Sequence, residues 1–413
     1  MNTMPKLKIN HKKLENNISI EDAYFQDCYQ NTPKFFWNQP GEVKIAAIDL
    51  FLSSEFKSLE EFKSLSTYYQ KILKDIKSDL NIPMVFIASA FNIDIKQKNS
   101  TWSNVPRGKI FIPKYLYMDK EGVKNLFTIN EKINEPQIQS IDKSKPNQNL
   151  ILENETSKQD FYSMIDKSKT LIKDTELEKV VISRKKTYQF KFNTQSQLDF
   201  IAQCENKFPK CATFLYDFKD GDVFFGVTPE TLFKTKGNQF YSEAIAGTFD
   251  SKTEEASPKE LKEHLFVVND IKEKISNFSY NENTELKPAT INLGKMTHLK
   301  TAIKCNLKEG TNPFDMIYNL HPTPAVAGYP KNIAIHNIDT LEKHDRGWYS
   351  GPIGWIDSNY NSNFKVAIRS GIAKEEKIHI YAGCGITKES DAESEYSESE
   401  MKFNSILSVL NHE

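Results

Sequence analysis

Nothing in this sequence approaches the run of ~20 apolar residues that a membrane-spanning helix requires. The amino-terminal stretch MNTMPKLKINHKKLENN carries basic residues but no apolar core, so it does not read as a secretory leader. These two absences predict a cytoplasmic protein without a membrane partner. An excess of one charge is also lacking: 54 basic and 55 acidic side chains nearly cancel. No global field therefore draws the chain to nucleic acid or anionic membranes, and any bound anion must be met by a local arrangement of charges. Cysteine is scarce. Cys28, Cys204, Cys211, Cys305 and Cys384 form an odd, scattered set, which reads as free thiols in a reducing compartment. The spacing of Cys204 and Cys211 fits no zinc pattern, the eight histidines are dispersed and no His-Glu-x-x-His occurs, which argues against zinc chemistry. Internal repeats are absent.

What is present is the composition of a globular protein, 38% hydrophobic and 26% charged over 413 residues. That length suits either two or three domains of ~150 residues or one large mixed-sheet unit. Residues 1 to about 40 are polar and aromatic in turn and predict no element. VKIAAIDLFLS, MVFIASAFNI and KIFIPKYLYM read as strands, and LEEFKSLSTYYQKILKDI between them repeats apolar residues at helical spacing. Residues 131–157 are polar and aperiodic, which predicts a long connection. Beyond it, Phe161, Met164, Ile165, Leu171 and Ile172 suit one helix face, ahead of a strand starting at Lys179. A second amphipathic helix is expected over 258–278, with Leu261, Leu265, Val268, Ile271 and Ile275 on its buried stripe. NFKVAIRS reads as one strand with Lys365, Ala367 and Arg369 on its polar face. IHIYAGCGI is a strand running into a glycine turn, and ESDAESEYSESEMKFNSILSVL is an acidic helix.

Several of these segments could carry chemistry, each with an ordinary alternative. Glu395, Glu398 and Lys402 share one helix face: either a solvated, salt-bridged surface, or hard oxygen ligands for a divalent cation beside an ammonium. Glu263 and His264 fall beside the apolar stripe, facing solvent or a cleft. Arg369 needs an anion, either an internal carboxylate or a ligand carboxylate gripped by its fork. Ala246-Gly247-Thr248 and Gly383-Cys384-Gly385 are turns where a backbone can approach a ligand closely. HPTPAVAGYP (321–330) is a stiff loop. Lys179 by itself is an edge lysine.

The ordered set KVVISR (179–184), FFGVTPETLF (224–233), EAIAGT (243–248), KEHLFVV (262–268), HLKTAI (298–303), HPTPAVAGYP (321–330), RGWYSGPIGW (346–355), KVAIRS (365–370), YAGCGI (381–386) and SDAESEYSESEMK (390–402) resembles the chorismate-utilising enzymes. The resemblance covers roughly residues 155–405. It implies a single α+β unit over 1–413, two packed β-sheets flanked by helices, with a variable half over 1–130, an internal connection over 131–157 and a motif-bearing half over 158–405. Members that deliver water to the ring carry lysine at the head of the KVVISR-like strand, and those that deliver ammonia carry glutamine. Here it is Lys179, as a water-delivering member requires, because water must lose a proton as it attacks. The resemblance gives Glu230, in TPE, the role of general acid to the departing ring hydroxyl, which requires a raised pKa. It implies Mg²⁺ held by Glu263, Glu395 and Glu398. It implies substrate contacts from Gly247, Thr248, His321, Arg369, Gly385 and Lys402. Cys384 stands where many members have alanine, and Ser399 replaces the usual threonine.

The Gly-Pro-Ile-Gly-Trp run is more similar to isochorismate synthases than to salicylate synthases, which form isochorismate and then eliminate pyruvate. Anthranilate synthases would carry glutamine in place of Lys179 and rely on a glutaminase, so no glutaminase partner is expected. A non-catalytic chorismate-binding protein would have lost part of the acid, base and metal set. The expectation is therefore a monomeric, Mg²⁺-dependent isomerase acting on chorismate, with a product serving menaquinone or siderophore synthesis.

Overall fold

The computed structural model describes residues 7–15, 18–74, 76, 82–95, 100–132, 138–141, 148–219, 221–250, 255–284, 287–293 and 296–411. These contain twenty strands and eight α-helices, and all twenty strands belong to one antiparallel hydrogen-bonded system. The two expected sheets are joined halves of it. One half runs from Lys179–Gln189 through Lys377–Ile386, Ser370–Lys374, Val223–Thr228, Ala212–Asp217 and Lys34–Gln39 to Val43–Phe56. The other runs from Gly108–Lys120 through Pro83–Ser89, Pro352–Asp357, Ser362–Val366, Thr231–Lys236 and Gln239–Asp250 to Met296–Leu307.

The long strands Val43–Phe56 and Gly108–Lys120 join the halves. They pair along their length across an irregularity between Leu50 and Leu52, and a bulge of that kind bends a strand. On one side of the bend Val43–Ile48 pairs with Lys34–Gln39; on the other, Gly108–Phe111 pairs with Phe86–Ser89. So large a sheet cannot stay open and flat, and it folds back on itself. Aromatic rings fill the space between the halves. Phe35, Phe86 and Phe111 lie with centroids 5.2–6.3 Å apart, and Tyr216 and Trp348 continue the cluster. A second core lies where Phe192, Phe200, Phe225, Phe403 and Ile406 meet. Among the described residues no helix is long and apolar enough to cross a membrane.

Five departures from the sequence reading matter for the site. Residues 1–40 hold a strand, Ile9–Lys13, a Ser19-capped helix, Ile20–Tyr24, and the wholly buried strand Lys34–Gln39. The 131–157 connection contains the edge strand Ile151–Glu155, and 133–137 and 142–147 lie outside the described residues. The helix expected over 258–278 is Pro258–Ser276, but its first turns are rotated: Leu261 and Leu265 are 41% and 53% exposed, while His264 is buried. The rotation has a local cause. Gly247 has φ +74° inside a bulge of Gln239–Asp250, and a Cβ there would lie 2.5 Å from the Glu260 carbonyl oxygen. The helix backbone thus presses onto the strand, and His264 bonds both Ala246 O (3.2 Å) and Thr301 Oγ1 (2.7 Å). Neither glycine segment is a turn. Gly247 belongs to a bulged strand, and Gly383-Cys384-Gly385 lies inside Lys377–Ile386, paired with Val181–Ser183. NFKVAIRS is two strands, Ser362–Val366 and one starting at Ser370, with Arg369 outside both at φ +49°.

Candidate active site

A narrow cleft of about 70 Å³ opens where these irregular segments meet. Its walls include Glu230, Gly247, Thr248, Glu263, Arg369, Gly385 and Lys402. A larger, more open cleft between Gly41–Val43, Lys234–Tyr241 and Trp355 contains none of the predicted residues; chemistry, not size, identifies the site.

Lys179 sits under the floor. It is fully buried, and its Nζ is 2.8 Å from Glu263 Oε1. Gly385, across the strand pair, covers this ion pair with no side chain: a Cβ there would lie 2.3 Å from Glu263 Oε1 and 2.7 Å from Lys179 Cε. Burial acts to raise the Glu263 carboxyl, but Lys179 outweighs it and the net shift is downward.

Glu230 follows the strand Val223–Thr228, fixed by Glu230 N–H donating to Thr228 Oγ1 (3.2 Å) and its carbonyl accepting from Val366 N–H (3.1 Å). Burial pushes its carboxyl up to about 7, against the opposing pull of Lys179 and Lys402. At neutral pH the side chain can therefore hold a proton, the requirement for a general acid.

The cations of the cleft differ in how they are partnered. Arg346 lines the cleft, but Glu342 accepts from its Nε and Nη2, while Nη1 and Nη2 donate to Val326 O and Val181 O. It braces the Lys179 strand against the 321–330 loop. Arg369 differs. Its Nη1 donates to Ser405 Oγ (3.0 Å) and the Lys402 carbonyl, and no carboxylate lies within ion-pair distance among the described residues. The internal ion pair is thus absent, and the fork lines the cleft. Its left-handed backbone, uncommon outside glycine, costs about 1–3 kcal/mol. Lys402 Nζ lies 2.6 Å from Glu398 Oε1 and 2.7 Å from Gly383 O.

The acidic helix is Ala392–Leu407, and Glu395 faces inward at 1% exposure, not toward solvent. Burial, then Glu398, push its carboxyl up. One carboxylate oxygen each from Glu395 and Glu398 and the Cys384 Sγ lie within 4.8 Å of one another. Cys384 donates to the Glu395 carbonyl, and burial raises its thiol well above normal. It is therefore a protonated packing residue, and the donors left in this cluster, Glu395 and Glu398, are hard oxygen ligands of the kind that suits Mg²⁺.

His321 is not at the cleft. It ends the helix Pro313–Leu320, where its Nε2 bonds Phe91 O at 3.0 Å and burial holds its pKa down at about 3. The cleft histidine is His298, whose Nδ1 bonds Thr248 Oγ1 (2.9 Å) and whose buried Nε2 has no hydrogen-bond partner among the described residues. Burial, Arg369 and Lys402 keep it neutral. Tyr349, stacked on Tyr381 at 5.2 Å, is a further wall residue. His298 heads the HLKTAI block, and Arg346 and Tyr349 belong to RGWYSG, so the signal was present without a role attached.

The curated "Isochorismate synthase MenF" of Bacillus subtilis is 28% identical over 92% of this chain and 88% of its own length. A Haemophilus influenzae protein of the same name is 35% identical over 59% of this chain and 58% of its own. The solved menaquinone-specific isochorismate synthase MenF of Escherichia coli, at 22% identity, shares the fold with a TM-score of 0.80, covering 99% of this chain and 95% of that one. The family model described as chorismate binding enzyme matches residues 11–411, and the chain belongs to that family.

Proposed function

We propose that this protein is an isochorismate synthase, an isomerase that converts chorismate to isochorismate with Mg²⁺ as cofactor. The observation that carries this reading is a buried lysine at the head of its strand, serving one cleft with a buried carboxyl whose pKa lies near neutrality. Lys179 is the general base of this reading, taking a proton from the attacking water. Glu230 delivers its proton to the ring hydroxyl, which leaves as water while the double bonds shift. One water enters and one departs, and the two side chains reset by exchanging the proton they hold in excess for the one they lack.

Chorismate is a dianion. Arg369 and Lys402 meet its carboxylates, and Gly385 and the Gly247 bulge leave room for the ring. Glu263, Glu395 and Glu398 would hold Mg²⁺, which when bound supplies charge neutralisation and an anchor for a substrate carboxylate.

The deciding experiment incubates purified protein with chorismate, with and without Mg²⁺, and resolves products by chromatography. Isochorismate approaching equilibrium without pyruvate is expected, and chelation should abolish it. Stoichiometric salicylate and pyruvate would instead assign a salicylate synthase, and no turnover with Mg²⁺ present would overturn the reading.

The Glu230 value sets a pH dependence. The general acid is competent while protonated, so the rate should be constant below about pH 7 on this limb and fall as pH rises through it. Folding stability from this group has the same sign: the fold retains a proton that the unfolded chain releases, so stability falls as pH rises from 4.5 to about 7. Glu230→Gln should lower the rate by about 10²–10⁴-fold and remove that alkaline limb. A limb near pH 7 persisting in the variant's residual activity would assign it to another group.

A further inference from the structure

We propose that Lys259 is a resident counter-ion of the metal site, holding Glu395 through a carboxylate oxygen that a divalent cation would use, so that the cation binds by exchange with it. This rests on the Mg²⁺ reading above and adds a residue that sets how tightly the ion is held. Three carboxylates converge here, and each is held by a lysine: Glu263 by Lys179, Glu398 by Lys402, and Glu395 by Lys259, at 2.6 Å. A divalent cation and an ammonium compete for the same oxygens.

The three lysines are not equivalent. Lys179 is fully buried, and Lys402 is tied to Gly383 O as well as to Glu398. Lys259 has no other hydrogen-bond acceptor recorded among the described residues, and its side chain is 24% exposed. It is the most exposed of the three and the least tied to other groups, on a flexible stem. Its position on its helix is also informative. It follows Pro258 in the first turn of Pro258–Ser276, where the positive end of the helix disfavours a cation. Four residues on, Glu263 lies on the same face, and Lys259 interacts electrostatically with Glu395, Glu263 and Glu398 together. A lysine placed against the helix dipole, beside two buried carboxylates, offsets their repulsion. Lys262 is its natural control, because it lies on the same helix but is 57% exposed and faces Glu178 at 3.6 Å.

The test is calorimetric titration of Mg²⁺ alone into chelator-treated protein, with thermal unfolding in parallel. Lys259→Met should bind Mg²⁺ about tenfold more tightly than the unsubstituted protein, and its unfolding midpoint should rise more on saturation with Mg²⁺. Lys262→Met should change neither. Lys259→Arg, which keeps the charge and pairs more firmly, should bind no more tightly than the original. It keeps the question answerable if the methionine variant does not fold without metal. Equal or weaker binding by Lys259→Met, or equal tightening by Lys262→Met, overturns the exchange while leaving the metal site in place. Absence of Mg²⁺ binding by the unsubstituted protein overturns the metal reading itself, and this inference with it.

Discussion

Lys179→Gln is expected to lower chorismate turnover by about 10³-fold, within the range for loss of a general base. Glutamine is one atom shorter but keeps an uncharged donor pointed toward Glu263 Oε1, which Lys179 holds at 2.8 Å. What it cannot do is accept a proton from water. The change therefore separates the chemical role from the space-filling one better than alanine, which would leave Glu263 without a partner. Removing one member of a buried ion pair costs about 3–5 kcal/mol. Product formation should be followed at saturating chorismate and Mg²⁺, with circular dichroism showing that the variant is folded. A folded Lys179→Gln protein turning over within tenfold of the original would remove Lys179 as the base.

Gly385→Ala should be nearly as damaging without replacing any charged group. Its methyl would sit 2.3 Å from Glu263 Oε1 and 2.7 Å from Lys179 Cε, so the ion pair must shift. Displacing a catalytic group by about 1 Å costs on the order of 10²-fold in rate, and overpacking costs about 1–3 kcal/mol. Gly383→Ala, two residues earlier on the same strand, is the comparison. Its nearest neighbours would be Tyr349 Oη at 3.1 Å and Val181 at 3.3 Å, a contact small adjustments relieve. Turnover and unfolding midpoint measured for both variants should show a large loss at 385 and a small one at 383. Equal effects would mean that Gly385 serves only general packing.

The reach of the sequence can be traced residue by residue. Lys179, Glu230, Glu263, Glu395, Glu398, Arg369 and Lys402 were all named from motif order; Glu230, Glu263, Arg369 and Lys402 line one cleft, Lys179 pairs with Glu263, and Glu395 and Glu398 pair with Lys259 and Lys402. The periodicity of 258–278 located a helix correctly but misjudged its inward face, because contacts on other elements, Gly247 against Glu260 and Ala246 and Thr301 against His264, set the rotation. His321 was assigned to the cleft because its loop is recognisable, yet its partner is Phe91 O in the other half of the chain. The strand Lys34–Gln39 is buried at every position, so it lacks the alternation that betrays a half-exposed strand. In each case the missing information lay in a distant segment.

The strand that begins at Lys179 has a further bearing on how the protein is made. Its long partner, Lys377–Ile386, lies roughly two hundred residues further along the chain. A ribosome adding about 5–20 residues per second leaves that edge unpaired for some tens of seconds, while its apolar residues Val180 to Ile182 are already available to other strands. Lys179 therefore stands on one of the last seams to close, and synthesis that stalls before residue 377 yields a chain with an adhesive edge.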